Sequence, residues 1–151
     1  MTETPHAERV LTVRVGTERF AFAIADVVEA LDAPRLQGVP LAPAGVLGQC
    51  RVRDRLLPVL DSGVLLGVPR AGGAGALLVL EAEGERVGLL VDDVLDTELA
   101  HPSTWRPIPA TGAPASGHLA AVLTLPSGLA ALVDLGTLRA TILARLTSEV
   151  G

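Results

Sequence analysis

An internal repeat constrains the fold of this chain more than any other feature. Each half contains a glycine that is followed nine or ten residues later by an aspartate, across an apolar segment: Gly16 to Asp26 and Gly84 to Asp93. A later block in each half ends in the pattern Asp-x-Gly-x-Leu, at residues 61–65 and 134–138. Ordered matches of this kind indicate a duplicated structural unit. We therefore predict two repeat halves, roughly 10–70 and 76–146.

The repeated unit is built from short β-strands. Apolar runs alternate with turn residues, for example at Gly16-Thr17, Glu83-Gly84 and Pro126-Ser127-Gly128. No strand–helix–strand alternation with a long crossover occurs, which argues against a doubly wound parallel sheet. Residues 25–31 have near-helical apolar spacing and are predicted as a turn or short helix. Helical spacing of Leu138, Ile142 and Leu146 predicts one clear helix over 137–146, with Thr137 as a candidate cap. The fold class is therefore predicted to be all-β.

Composition argues against several kinds of function. The net charge of −5, the pI near 5.1 and the 2% aromatic content argue against a nucleic-acid surface or an anionic-membrane surface. The apolar runs, of about eight residues at most, are too short to span a bilayer. Residues 1–8 are polar and indicate a disordered tail without a signal peptide. We therefore predict a cytoplasmic, soluble protein.

One stretch, residues 48–61, carries an unusual charge pattern. It has arginines at 51, 53 and 55, with Asp54 between two of them, followed by the apolar run Leu56 to Leu60. In a β-strand alternate side chains share a face, so the arginines are predicted to line one surface before the chain enters a core. No catalytic step needs this arrangement, whereas arginine is enriched at protein interfaces. A solvated strand face with ordinary surface ion pairs is the alternative reading.

Candidate catalytic and metal-binding residues do not converge in the sequence. Asp92 and Asp93 are adjacent, so a strand would direct them to opposite faces. Asp61 and Asp134 occupy equivalent repeat positions, which favours helix capping. Cys50 is the only cysteine and is predicted to be a buried, inert thiol. The three histidines lack the spacing of a zinc site. We therefore predict no catalytic residue, no metal site and no cofactor.

Four blocks of the chain, in order, resemble the CheW-like domain family of bacterial chemosensory systems. They are Phe20–Glu29, the segment 48–61 with Arg51–Asp54 and Pro58–Asp61, Gly88–Val94, and Leu132–Leu138. The resemblance covers about residues 10–146. It implies a single domain over 9–147, made of two SH3-like five-stranded β-barrels that share an apolar interface, with a short C-terminal helix.

The same resemblance implies a function. Family members are noncatalytic adaptors that couple the cytoplasmic helical hairpin of methyl-accepting chemoreceptors to the regulatory domain of a CheA-type histidine kinase, in cytoplasmic chemosensory arrays. In the family, a glutamate of the first turn pairs with the arginine of a four-residue motif beside the receptor groove. Residues Arg51–Asp54 correspond to that motif, which we call the tetrad. Glu29 and Arg53 match those positions here. The predicted protein-binding residues are Glu29, Arg51, Arg53, Asp54 and Arg55.

The tetrad departs from the family pattern at two positions. Arg51 stands where the family has asparagine, and Asp54 stands where it has glycine. Asp54 adds a carboxylate at a tip where glycine would let a partner backbone approach closely. One alternative is therefore a divergent array component that binds receptors or other CheW-like domains but not the kinase. An alternative from another class, a small-ligand-binding β-barrel protein, has no support in the residue pattern.

Overall fold

The computed structural model describes residues 8–42, 44–73, 75–108 and 118–148, with only the backbone of Ala82 and of residues 142–148. These segments form ten strands and two α-helices, with one helix after every five strands. The strands are β1 (Glu8–Val15), β2 (Glu18–Ala23), β3 (Val27–Asp32), β4 (Val46–Val52), β5 (Arg55–Asp61), β6 (Ala76–Ala82), β7 (Glu85–Val91), β8 (Asp93–Ala100), β9 (Leu119–Leu125) and β10 (Gly128–Val133). The helices are α1 (Ser62–Leu66) and α2 (Leu135–Ser148). Neither helix is long and apolar enough to cross a membrane.

The strands form two five-stranded sheets. Sheet A has the order β8-β1-β2-β10-β9, and sheet B has the order β3-β6-β7-β5-β4. Neighbouring strands are antiparallel except at one central pair in each sheet, β2 with β10 and β5 with β7, which are parallel. The two parallel pairs occupy equivalent places in the repeat. The predicted all-β class with two five-stranded units is confirmed.

The two halves of the repeat exchange their first hairpins. Sheet A combines β1 and β2 of the first half with β8, β9 and β10 of the second half. Sheet B combines β6 and β7 of the second half with β3, β4 and β5 of the first half. The repeat units in the sequence are therefore not the two sheets in space. Each sheet needs strands from both halves to be complete.

Three apolar clusters make up the core. The interior of sheet A is lined by small and branched side chains, including Val10, Ala21 and Leu123. The interior of sheet B includes Cys50, Val59 and Leu77. The largest cluster lies between the sheets and draws on both of them, on α1 and on α2: Phe20 and Phe22 of sheet A, Leu78 and Leu89 of sheet B, and Leu66 and Leu138 of the helices belong to it. The predicted shared apolar interface is confirmed.

The central strands are buried on both faces because they separate a sheet interior from the shared core. In β2, Phe20 and Phe22 face the shared core, while Ala21 is fully buried in the interior of sheet A. The sequence pattern predicts β2 to be a half-buried strand, and this is wrong. Alternation of large and small apolar residues does not reveal burial, because both kinds of side chain are inside.

Residues 25–31 are mainly a strand and not the predicted turn or short helix. A single 3-10 turn, Ile24–Asp26, leads directly into β3. β3 pairs antiparallel with β6, with a bulge between Val27 and Glu29. The β-branched pair Val27-Val28 fits an extended strand better than a helix. β3 pairs with a strand of the other half, about fifty residues away along the chain. This pairing makes the segment extended although the local spacing of its apolar residues is near-helical.

The element ends carry two further corrections. Glu8 opens β1 and is not part of a tail, while residues 1–7 lie outside the described part of the chain. α2 begins at Leu135, so Thr137 lies inside it and is not its cap. Asp134 accepts a hydrogen bond from the Thr137 backbone N–H at 3.3 Å. Of the predicted apolar face of this helix, only the Leu138 side chain is described, and it is buried.

The equivalent aspartate of the first half also caps a helix, as predicted. Asp61 Oδ1 accepts a hydrogen bond from the Gly63 N–H at 2.8 Å, at the start of α1. Gly67 ends α1 in the left-handed region, with φ 75°. A residue without Cβ adopts this conformation with little strain. The repeated Asp-x-Gly-x-Leu pattern is therefore a strand-to-helix cap in both halves.

Candidate protein-binding surface

The hairpin β4–β5 presents the predicted site at its tip. Val52 and Arg55 form the last strand pair, so the turn consists of two residues, Arg53 and Asp54. Both have positive φ, 49° and 64°. Two-residue hairpin turns favour positive φ at both positions, because that backbone twist matches the twist of the strands. The tip is therefore a tight turn of two exposed residues.

This turn separates the three arginines, which do not line one surface as predicted. Arg51 lies opposite Leu56, and Arg55 lies opposite Val52. Because side chains alternate along each strand, these two pairs belong to opposite faces of the hairpin. Arg53 lies in the turn, between the faces. The arginines therefore surround the tip, and the expected single face is wrong because the strand ends at Val52.

Arg53 forms an ion pair with Glu29 of β3. Its Nε lies 3.0 Å from Glu29 Oε2, and its Nη2 lies 3.4 Å from Oε1, so the contact is two-pronged. The Arg53 side chain is 74% exposed and that of Glu29 is 23% exposed. The hydrogen bond to Glu29, together with the negative charge of that carboxylate, raises the pKa of Arg53 above its usual range. The guanidinium is therefore a permanent cation displayed to solvent.

This ion pair also closes sheet B. Glu29 lies on β3 and Arg53 directly follows β4, and these are the first and last strands of the sheet order. A contact between the two edge strands requires the sheet to curl until its edges meet, as in a barrel. On the edge of β4 that does not pair with β5, Gln37 forms a two-way backbone bridge with Gln49, at 2.8 Å in both directions. The free edge of β4 is therefore held at Gln49, and the tip that follows it is held by the ion pair.

Sheet A also has a carboxylate beside its hairpin tip, with a different partner. Glu98 of β8 accepts hydrogen bonds from the backbone N–H and the hydroxyl of Ser127, at 3.0 and 2.6 Å, in the turn between β9 and β10. Arg19 adds an ion pair to Glu98 at 3.6 Å. The Glu98 side chain is only 9% exposed. Each hairpin tip therefore has a carboxylate beside it, but the Arg53 side chain at the tip of sheet B is 74% exposed, whereas that of Arg19 is 23% exposed.

An apolar residue accompanies the charges at the tip of sheet B. Leu56 is 51% exposed and lies directly opposite Arg51 on the outer face of the hairpin. Pro58 lies opposite Gln49 on the same face and is half-buried. The predicted apolar run therefore enters the core only at Leu57. An exposed leucine flanked by arginines has the composition of an interface, an apolar centre with a charged rim.

Leu56 is not among the predicted binding residues because the run Leu56 to Leu60 is uniformly apolar in the sequence. The hairpin register identifies it: a two-residue turn at Arg53-Asp54 places Leu56 beside the exposed Arg51. Asp92 likewise has no partner that the sequence predicts. Its contacts come from segments distant in the sequence, so no local pattern indicates them.

Replacing Asp54 by glycine is expected to stabilise the protein, by about 0.5 kcal/mol of unfolding free energy, because an aspartate at φ 64° carries a conformational cost that glycine does not. Urea denaturation measures the change. Asp54→Ala is the matched control, since it also removes the carboxylate but keeps a Cβ; it should be no more stable than the parent. Equal stabilisation by both variants would show that charge, and not backbone conformation, is responsible.

The structure shows no assembled catalytic or metal centre in the segments that it describes. No group of three or more His, Cys, Asp or Glu side chains there could hold a metal ion. Asp92 is buried while Asp93 is exposed, so the adjacent carboxylates diverge as predicted. Cys50 is buried, and burial raises the pKa of its thiol, which disfavours the reactive thiolate. His6 lies outside the described residues.

A small group of carboxylates lies where the 3-10 turn approaches α2. Burial, followed by the negative charges of Asp134 and Glu8, raises the pKa of Asp26. Asp134 is already engaged as a helix cap. These carboxylates repel one another, and Asp134 serves the helix cap, so the group is explained by the fold.

Comparison with known proteins identifies the family. The model of the CheW-like domain matches residues 9–141. The chain belongs to the CheW-like domain family. The Glu29–Arg53 ion pair that the family resemblance implies is present in the structure.

Two curated relatives and one solved structure agree with this assignment. The probable chemotaxis protein CheW of Rhizobium etli is 26% identical over 132 residues, which cover 85% of each chain. The chemotaxis protein CheW of Rhizobium meliloti is 33% identical over 95 residues, 62% of this chain and 61% of the relative. The crystal structure of the scaffolding protein TtCheW from Thermoanaerobacter tengcongensis superposes with a TM-score of 0.79 over 91% of both chains, at 18% identity. At that identity the superposition establishes the shared fold.

Proposed function

We propose that this protein is a noncatalytic adaptor that couples methyl-accepting chemoreceptors to a CheA-type histidine kinase within a cytoplasmic chemosensory array. Membership of the CheW-like family supports the general role. The relatives named as chemotaxis proteins and the solved scaffolding protein support it further. Both sheet interiors are filled by side chains, which favours an adaptor over the alternative of a small-ligand-binding barrel.

The observation that carries the proposal is the exposed Glu29–Arg53 pair at the tip of sheet B. An exposed ion pair contributes little to folding stability, typically about 0–1 kcal/mol, so stability alone does not explain it. An arginine that is 74% exposed and oriented by a carboxylate is suited to bind a partner. We propose that Glu29, Arg51, Arg53, Asp54 and Arg55, together with Leu56, contact the cytoplasmic helical hairpin of the receptor. The two-pronged contact to Glu29 leaves part of the five-donor guanidinium directed towards solvent.

The adaptor acts by holding the receptor and the kinase in a fixed position relative to each other. A surface that binds receptor and kinase together fixes their relative orientation, so a conformational change in the receptor biases the activity of the kinase. Binding energy is then the only contribution required of this chain, and no group has to transfer a proton or a phosphoryl group. Recruitment to the array would follow from receptor binding.

Asp54 motivates the second candidate function, a divergent array component that has lost kinase binding. The residue places a carboxylate at an exposed turn where the family has glycine. A negative charge at the tip repels acidic partner surfaces and favours basic ones. The same component would still bind receptors or other CheW-like domains through the neighbouring arginines.

A binding experiment with separate partners distinguishes these functions. The immobilised chain is presented first with the receptor hairpin and then with the regulatory domain of the cognate CheA-type kinase, and dissociation constants are measured. The adaptor function predicts micromolar or tighter binding of both, about −8 kcal/mol each. Binding of the receptor alone, with kinase binding recovered in Asp54→Gly, would identify the divergent component. Binding of neither partner would overturn the proposal.

A further inference from the structure

A buried aspartate occupies the point where the chain passes from one sheet to the other. Asp92 lies between β7 of sheet B and β8 of sheet A, and its side chain is 1% exposed. Its backbone N–H donates to the Arg14 carbonyl of β1 at 3.0 Å. A carboxylate at this depth is costly unless it is hydrogen-bonded and neutralised, so its contacts indicate why it is there.

The carboxylate of Asp92 joins segments of both sheets. Its Oδ2 accepts hydrogen bonds from the Gly16 N–H, at 2.6 Å, and from the Ala71 N–H, at 2.8 Å. Gly16 lies in the β1–β2 turn of sheet A, whereas Ala71 lies in the loop that leads from α1 to β6 of sheet B. The N–H of Gly72, the next residue of this loop, also acts to lower the pKa of the carboxylate. One side chain thereby links the β1–β2 turn of sheet A to the loop that precedes β6 of sheet B.

Arg70 extends this contact to helix α1. Its Nη1 lies 4.0 Å from Asp92 Oδ1, and its Nε donates to Asp61 Oδ1 at 3.0 Å. Asp61 in turn caps α1. Burial by itself would raise the pKa of Asp92, but the backbone donors and the positive charge of Arg70 outweigh burial and lower it. Asp92 is therefore ionised, and it is strongly held.

The backbones meet too closely for a side chain at the contact. A Cβ built on Gly16, which has φ +61°, would lie 2.2 Å from the carbonyl oxygen of Pro69. Only glycine permits this approach. The repeat does not require such a contact, because the first half has Ala25 at the position that corresponds to Asp92. The contact is therefore specific to one of the two crossings between sheets.

We infer that Asp92, with Gly16 and the 69–72 loop, forms a clamp that fixes the orientation of sheet A relative to sheet B. The shared core is apolar, and apolar burial is not directional, so it allows small rotations of one sheet against the other. Short hydrogen bonds to a buried carboxylate are directional and charge-assisted. Asp92 acts here as a positioning residue, setting the relation between surfaces on the two sheets.

The test measures that orientation directly in the full chain. Spin labels are attached at Leu56→Cys in sheet B and Leu129→Cys in sheet A, exposed residues at equivalent repeat positions, with Cys50→Ala removing the native thiol. Asp92→Asn is expected to broaden the inter-label distance distribution about twofold and to speed amide hydrogen exchange of Gly16 and Ala71 about tenfold. Amides inside β6 should stay protected. Asp93→Asn, an exposed neighbouring carboxylate, is the matched control and should change neither.

A folded Asp92→Asn variant with an unchanged distance distribution and unchanged exchange at Gly16 and Ala71 would overturn the inference. If that variant does not fold, Arg70→Gln decides the question, because it keeps the backbone donors to Asp92 and removes the cation that links Asp92 to Asp61. A broadened distribution in Arg70→Gln supports the clamp, and an unchanged one overturns it. All readouts use the chain without partners, so their outcome does not depend on the proposed function.

Discussion

Arg53→Glu is expected to abolish receptor association while leaving the protein folded. In the parent chain, the carboxylate of Glu29 lies 3.0 Å from the Arg53 guanidinium. The substitution places a second carboxylate beside that of Glu29. Reversing a charge at the centre of a contact replaces attraction by repulsion for any partner that the arginine contacts. We expect a loss of affinity of about 100-fold or more, in the range of a binding hot spot. Isothermal titration with the receptor hairpin measures it.

Stability should change little, because the replaced side chain is 74% exposed. Exposed ion pairs typically contribute about 0–1 kcal/mol. Circular dichroism and urea denaturation verify the fold. Arg9→Glu, a reversal of an exposed arginine on sheet A, is the control for net charge and should bind normally. Unchanged receptor binding by folded Arg53→Glu would refute the proposed site.

The double variant Glu29→Arg/Arg53→Glu separates two roles of the pair. It restores an ion pair with reversed polarity between β3 and the hairpin tip. If the pair matters only because it closes sheet B, the double variant should bind like the parent. If the partner contacts the guanidinium of Arg53 directly, binding should remain lost. We expect the second result, because the arginine and not the glutamate is the exposed member.

Phe22→Ala is expected to destabilise the whole chain by about 3–5 kcal/mol, and to do so in a single transition. Phe22 is 1% exposed and lies in the core between the sheets, together with Leu78 and Leu89 of sheet B. Removing the ring leaves a cavity that both sheets line. Because a domain is typically stable by about 5–15 kcal/mol, the loss is a large part of the total. The melting temperature should fall by about 10 °C.

Cooperativity is the informative part of this measurement. Each sheet contains strands of both sequence halves, so neither half can lose its structure without disrupting both sheets. Amide exchange in β6 should therefore accelerate along with exchange in β2. Leu129→Ala, at an exposed leucine, is the control and should leave stability unchanged. If Phe22→Ala unfolds in two phases and sheet B persists after the first, the two sheets do not unfold as one cooperative unit, and this prediction is contradicted.

Much of the local structure follows from the sequence. Turn residues mark the hairpins at Gly16-Thr17, Glu83-Gly84 and Pro126-Ser127-Gly128, since few residues tolerate the backbone conformations that tight turns need. The repeated Asp-x-Gly-x-Leu pattern predicts both helix caps, because capping depends on residues adjacent in the chain. The Glu29–Arg53 pair was expected from the family resemblance; the charge pattern by itself favoured a solvated strand face over an interface.

The sequence by itself therefore determined most of the strands, the tight turns and the aspartate caps, because each depends on neighbours within a few residues. The tertiary structure decided what depends on distant partners: the exchange of hairpins between the halves, the extended conformation of β3, and the exposure of Leu56. It also decided where the charged side chains of residues 48–61 lie. Arg51, Arg53 and Arg55 alternate in the sequence, yet the turn at Arg53 distributes them around the tip. Long-range strand pairing and burial set these outcomes, and no local pattern encodes which distant strand will be the neighbour.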